Sequence, residues 1–368
     1  MMPGQAALLP GCSGTSHRAA HCDWIRRLII FDGKRRPVRS SGADFGGLLR
    51  FAAMSKPRLK AVSRTQGNNR ALKEGTVKPG SCELDFEDVP VLTDAFRRMV
   101  RGLEFDVCEM ALSTYVCARA HGKRFTALPI FLVRAFHHGA IVCAPDAGVR
   151  IPKDLEERKV GVNRGYTVTT GVWARSILQH EYGVDLDGIT WIRSGDEHVA
   201  EYKPPSNVLP MEPGRELLGL VASGELAAGI GLDAKSPELQ VLIPDAAEAG
   251  FKALRDRGHY PINHLIVVKD EVLDAHPGLA VDLFEAFAHS KRRYVEALKG
   301  SRLEAPTPTD EVYRRVMEST GKDPLPYGIG PNQQVLEGFV QDLVEQGIID
   351  RPVALHDLFH PETHALVG

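Results

Sequence analysis

The chain has 368 residues, 43% of them hydrophobic and 25% charged, with a formal net charge of −2. That length suggests two lobes rather than one small core, and the near-neutral balance argues against a nucleic-acid binder, which carries a basic excess. The longest apolar runs fall well short of a bilayer span, so no membrane partner is expected.

Residues 1–53 are rich in Gly, Arg and Ser, and their apolar patch at Leu28–Phe31 is too short for a secretory signal. Residues 1–55 are therefore expected to be a disordered or mis-started extension, with Met54 near the natural start and the protein in the cytoplasm. Six cysteines (Cys12, Cys22, Cys82, Cys108, Cys117 and Cys143) show no zinc or C-x-x-C spacing and read as free thiols.

From Leu59 onwards strands and helices alternate. Leu59–Ser63 reads as a strand, followed by a polar loop and a short helix at Arg70–Glu74. Cys82–Phe86 is a second strand, and Thr93–Arg101 a helix with Phe96 and Val100 on one face. Phe105–Glu109 is a strand, Ser113–Ala120 a helix and Ala140–Ala144 another strand. The stretch VGVNRGYTVTTGVWARSILQHEYGV from Val160 combines an apolar strand, a polar loop and a helix with Gly183 at its end. A helix start leaves unpaired N–H groups and partial positive charge, so Thr167, Thr169 and Thr170 mark either an anion site or simple helix capping. A helix at Arg215–Ala222 and strands at Ala227–Gly231 and Leu265–Lys269 follow. Two helical stripes close the chain, one through Leu279, Leu283 and Phe287 and one through Leu336, Phe339, Val340 and Leu343. The alternation predicts α/β layers with mainly parallel sheets. The strand–loop–helix unit occurs twice, so two lobes are expected across a cleft: 56–150 with 260–368, and 151–259.

Several stretches carry a family resemblance: NRALKEGTVKPGSCELDF, RRMVRGLEFDVCEMALSTYVCARA, ALPIFLVRAFHHGAIV, VTTGVWARSILQHEYGV, PINHLIVVKDEVLDAHP and PYGIGPNQQVLEGF. In this order the chain resembles the 4,5-dihydroxyphthalate decarboxylase family. It resembles in turn the type 2 periplasmic-binding-protein fold, whose ligand cleft lies between two lobes. The first loop reads RTQGNNRA where that family tends to an Asp-Arg-Thr-Arg version. Ala227 stands where binding proteins usually show Asp. The resemblance implies a carboxy-lyase acting on an aromatic dicarboxylate. The alternative is a non-enzymatic solute-binding protein for an aromatic or heterocyclic anion.

Decarboxylation of such a ring needs cationic and N–H donors for a dianion, a base near a phenol and an acid near the carbon that loses CO2. It needs no nicotinamide, flavin or pyridoxal, and no dinucleotide fingerprint or P-loop is present. No cofactor and no metal are expected. Candidate substrate-binding residues are Arg64, Arg70, Ser113, Tyr115, Arg134, Thr169 and Thr170. The candidate catalytic residues are Glu109 at a strand end, His138 in RAFHHGAI and His264 in PINHLIVV, with the two histidines as a proton-donor pair. For Glu109 the bland alternative is a helix-capping hydrogen bond, and for the histidines it is solvation or packing. Asp106 is expected to stabilise a turn. The partner is a small aromatic carboxylate, and a homo-oligomer is compatible with this reading.

Overall fold

The computed structural model describes residues 56–368; the expectations for the N-terminal extension lie outside the described residues. The first lobe opens with β1 (Arg58–Val62), α1 (Arg70–Lys73), β2 (Glu83–Phe86), α2 (Leu92–Gly102), β3 (Val107–Ala111), α3 (Leu112–Ala120) and β4 (Phe125–Arg134). The chain then crosses over. The second lobe holds β5 (Ile141–Cys143), β6 (Lys159–Val162), α4 (Thr169–Tyr182), β7 (Thr190–Arg193), β8 (Val208–Pro210), α5 (Leu217–Ala222), β9 (Ala228–Ile230), β10 (Gln240–Val241) and α6 (Ala246–Arg257). Strand β11 (Ile262–Lys269) returns to the first sheet. Helices α7 (Asp270–Ala275), α8 (Leu279–Lys299), α9 (Pro308–Thr320), α10 (Gln333–Glu345) and α11 (Leu355–Leu358) follow it.

The sheets run β2-β1-β3-β11-β4 and β10-β5-β9-β6-β7-β8. The expectation of mainly parallel pairing needs correction at the crossovers. β11 is antiparallel to both β3 and β4, and β5 is antiparallel to both β9 and β10. Each enters its sheet from the other lobe, so it runs against the strands laid down by local strand–helix–strand units. The first crossing also comes before Ile141 rather than near residue 150, because β5 already pairs into the second sheet.

Strand β4 is the one long strand that periodicity does not announce. Its sequence FTALPIFLVR carries Pro129, a residue that interrupts a hydrogen-bond ladder. The structure accommodates it in an irregular stretch. Leu265 lies opposite Phe131 while Ile266 lies opposite Leu128, so Pro129 and Ile130 fall in a bulge. A further register shift lies on either side of His264 in β11. Bulges re-aim side chains, and this one sits at the hinge strand that carries a candidate catalytic histidine.

Helix boundaries follow local chemistry. Gly183 ends α4 in the left-handed region at φ 65°, as the sequence predicts. Helix α2 runs through Gly102, and Leu103 takes the left-handed cap instead, at φ 49°. In α10 the predicted stripe of Leu336, Phe339, Val340 and Leu343 is buried. Helix α10 packs on α4, with Trp173 and Phe339 rings 4.5 Å apart. The C-terminal segment thus reaches from the first lobe onto the second. Among the described residues no helix is long and apolar enough to cross a membrane.

Candidate active site

Strand β3 delivers Glu109 to the interior of the first lobe, where it is fully buried. A buried carboxylate must be compensated, and here every partner is visible. Oε2 accepts from Ser63 Oγ at 2.8 Å and from the Arg64 backbone N–H at 2.9 Å. Oε1 accepts from Gln66 Nε2 at 3.3 Å and pairs with His264 Nδ1 at 2.7 Å. Burial pushes the Glu109 carboxyl up. The His264 contact and the Ser63 and Arg64 hydrogen bonds outweigh it, and the net shift is downward. Glu109 is therefore an anion, and an anion at Nδ1 fixes the proton there. This leaves Nε2 of a neutral His264 as the basic nitrogen. His264 is only partly buried, with 20% of its side chain exposed, so Nε2 is not sealed in the core.

Phe96 of α2 meets the His264 ring edge-on at 5.3 Å and the His198 ring at 5.9 Å. His198 comes from the second lobe, in the loop after β7. Its Nδ1 lies 3.0 Å from Thr114 Oγ1 on the first lobe, and its Nε2 is buried without a protein partner. Burial lowers its pKa to about 4, helped by Arg97, Arg164 and Arg101, so it is neutral near pH 7. Arg101 donates to the Glu197 and His198 carbonyls, and Arg97 to the Asp196 carbonyl. Arg164 is exposed in the β6–α4 loop and adopts φ 69°, a conformation rarely held by a non-glycine residue outside functional or strained sites.

The lobes also touch where α3 and α4 begin. Ser113 Oγ donates to the Thr167 carbonyl at 2.5 Å and lies 2.7 Å from Thr169 Oγ1. The Ser113 N–H donates to the same Thr169 oxygen at 3.2 Å. All three side chains are buried, so the cleft is closed along this seam.

The anion-binding loop expected before α4 already holds an anion. Glu197 Oε1 accepts the Tyr166 N–H at 2.6 Å, and Oε2 accepts the Thr167 N–H at 3.1 Å and Thr167 Oγ1 at 2.7 Å. Gly165 makes this possible, because a Cβ there would come within 2.5 Å of Glu197 Oε2. Neither Thr169 nor Thr170 caps α4; its N-cap is Val168, with no side-chain cap bond. Thr169 belongs to the interlobe seam, and Thr170 lies half-buried beside Gly231.

Three candidates lie elsewhere. Arg134 is buried and donates to the Tyr260 carbonyl at 2.8 Å, to the Pro326 carbonyl at 3.4 Å and to Asn332 Oδ1. Its two terminal nitrogens bond these oxygens while its buried Nε has no protein partner, and burial lowers its pKa to about 10. It braces the C-terminal segment, and the cavity it lines includes neither His264 nor Thr169. His138 is fully buried, with Nε2 3.0 Å from Glu181 Oε2. It is not paired with His264, because the crossover turns it onto α4. Tyr115 is buried, donates to the Leu358 carbonyl and accepts from the Ala127 N–H at 3.1 Å, which makes it a structural hydroxyl. Arg64 and Arg70 are exposed around the first loop. Asp106, at the bend before β3, ties that bend to β1, accepting from the Lys60 N–H at 2.8 Å, and makes no side-chain bond within its own turn. Sequence reasoning missed Ser63, Gln66, Glu197 and His198; the charged run GDEH after a short strand is the signal that could have found the last two.

A protein named 4,5-dihydroxyphthalate decarboxylase from Comamonas testosteroni is 30% identical over 328 residues, covering 84% of this chain and 98% of that protein. The chain belongs to the 4,5-dihydroxyphthalate decarboxylase family. A protein of the same name from Pseudomonas putida is 33% identical over 178 residues, covering 44% of this chain and 69% of that one. No protein-family model matches the chain. Among solved structures, a variant of the desulfurization enzyme DSZB in complex with biphenyl-2-sulfinic acid matches at TM-score 0.50 and 14% identity, over 84% of this chain and 97% of that one. The periplasmic aliphatic sulphonate binding protein of Escherichia coli matches at TM-score 0.48 and 11% identity, over 83% and 92%. The decarboxylase family member described here has a two-lobed α/β fold built on two mixed sheets.

Proposed function

We propose that this carboxy-lyase converts 4,5-dihydroxyphthalate to protocatechuate and CO2, with the Glu109–His264 pair as its proton carrier. The observation that supports this reading most is the 2.7 Å contact between Glu109 Oε1 and His264 Nδ1. A carboxylate behind an imidazole sets its tautomer and stabilises the imidazolium that forms when Nε2 takes a proton.

In this reading Nε2 removes the proton from the hydroxyl para to the departing carboxylate. Electron density moves into the ring, and a proton adds to the carbon bearing that carboxylate, giving a ketone-like tautomer. The carbon–carbon bond then breaks, its electrons restore the aromatic ring and CO2 leaves. The phenolate takes its proton back from the imidazolium. One proton from solvent thus replaces one CO2. Arg64, Arg70 and Arg164, exposed on loops of the two lobes, supply positive charge for the dianion. The neutral His198, whose Nε2 has no protein partner, supplies a further polar group between the lobes, and the Ser113–Thr169 seam holds them together. The reading includes a cytoplasmic location, the proposed division into two moving lobes and no metal in the step.

Incubation with 4,5-dihydroxyphthalate in deuterated water tests it. One CO2 per protocatechuate is expected, with one deuterium at the vacated ring position. Saturable binding of the dianion without CO2 would instead favour the solute-binding alternative.

A further inference from the structure

We propose that His180, Asp342 and Glu345 form a binding site for a divalent transition-metal ion that ties helix α4 to helix α10. No metal is expected from the sequence. The fold brings His180 opposite two carboxylates spaced one turn apart on α10.

His180 Nε2 lies 3.0 Å from Asp342 Oδ1 and 3.2 Å from Glu345 Oε2. All three ligand atoms lie within 4.8 Å of one another. Two carboxylate oxygens converge on one imidazole nitrogen, and a single proton there can point along only one of the two lines. A cation among the three atoms serves both. Ligand bonds of about 2.0–2.2 Å place neighbouring donor atoms roughly 3 Å apart, which is the spacing found for the His180 contacts. One imidazole with two carboxylates suits Zn²⁺, Co²⁺ or Mn²⁺ and leaves positions for water.

Two further observations point to a cation. The Asp342 side chain is 6% exposed, and among the described residues it meets His180 and the Ser176 hydroxyl but no lysine or arginine. A cation nearby favours the charged form of a carboxylate buried to this degree. A cavity of about 430 Å³ opens beside the cluster, lined by Trp173, His180, Arg257, His259 and Asp342 among others. It gives the coordinating waters room. The site is separate from the Glu109–His264 pair. Its effect on the reaction is indirect, because α4 begins at the interlobe seam and α10 follows Asn332, which holds Arg134.

The experiment uses the full chain stripped with a chelator, then titrated with CoCl2 or ZnCl2 by calorimetry and thermal melting. One class of site is expected in the parent that is lost in His180→Ala and in Asp342→Asn, and weakened at least tenfold in Glu345→Gln. At a hundredfold excess of metal over Kd the parent's Tm should rise by about 5 °C, and neither of the first two variants should respond. His180 is half-exposed, so its removal leaves the core intact; an unchanged circular dichroism spectrum checks this. Cysteines and histidines in the N-terminal extension also bind such ions, so the parent-minus-variant difference is the readout. Equal stoichiometry and equal Tm shifts in parent and His180→Ala would overturn the proposal.

Discussion

Each lobe contains a strand–loop–helix unit whose loop donors close on a buried glutamate of the same lobe, and the two glutamates end differently. In the first lobe Glu109 takes the Ser63 hydroxyl and the Arg64 N–H on one oxygen and passes the other to Gln66 and His264. In the second, Glu197 spends both oxygens on Tyr166 and Thr167. The first arrangement has an exit for a proton through an imidazole that reaches solvent. The second has none and works as a staple. In the proposed mechanism, what stands at the second oxygen decides whether such a carboxylate serves proton transfer or only the fold.

Breaking the comparison on the first lobe should have the largest effect. His264→Ala is expected to lower kcat by roughly 10²–10⁴-fold, the usual worth of a positioned acid–base group. His138→Ala, which breaks only the Glu181 contact, should keep kcat within a few-fold while lowering Tm. Steady-state kinetics and melts of both variants check the pair; equal losses of kcat would remove the distinction between them.

On the second lobe, Gly165→Ala drives a methyl group into Glu197 and forces the carboxylate off its three donors. Each charge-assisted bond is worth about 1.5–3 kcal/mol, and partial relaxation leaves a loss of roughly 3 kcal/mol. Denaturant unfolding should show it. A variant as stable as the parent would mean that the staple contributes nothing.

The sequence carried the local units well because their signals are local: apolar runs, the Gly183 cap, the stripe of α10. It carried the hinge poorly. Pro129 disguises β4, since a proline in a strand is tolerated at a sheet edge or a bulge, and β4 is both the edge of its sheet and bulged against β11, which comes from beyond the other lobe. The site divides in the same way. Glu109 and His264 were legible as a strand-end carboxylate and a hinge histidine, but their contact joins neighbouring strands that lie 155 residues apart in sequence. Arg134 and His138 share a motif next to the crossover, and the fold turns them towards Asn332 and Glu181, partners no spacing rule supplies.

Arg134 gives the next test. If it braces the C-terminal segment, Arg134→Lys loses a planar fork that bridges two carbonyls and an amide, costing about 2 kcal/mol of stability with KM unchanged. If it held the substrate carboxylate, KM would rise while stability stayed put. Parallel melts and Michaelis curves separate the two.

The smallest expected effect sharpens the comparison most finely. Ser63→Ala removes one donor to the Glu109 carboxylate and leaves the histidine contact in place. Hydrogen bonds to the charged form depress a carboxyl pKa, so losing one raises the folded-state value towards the unfolded one. A depressed carboxyl contributes stability that is present above the unfolded pKa and lost as pH falls through the folded pKa. The variant should therefore lose about 1 kcal/mol at neutral pH, and this deficit should shrink as the pH falls through the acid range. In activity the acid limb of the kcat/KM profile should move to higher pH by under about one unit, because Glu109 is protonated more readily. Thr167→Val removes the matching hydroxyl from Glu197 and should cost similar stability while leaving that limb where it was. If both variants move the acid limb alike, the glutamate of the first lobe holds no privileged place in proton transfer.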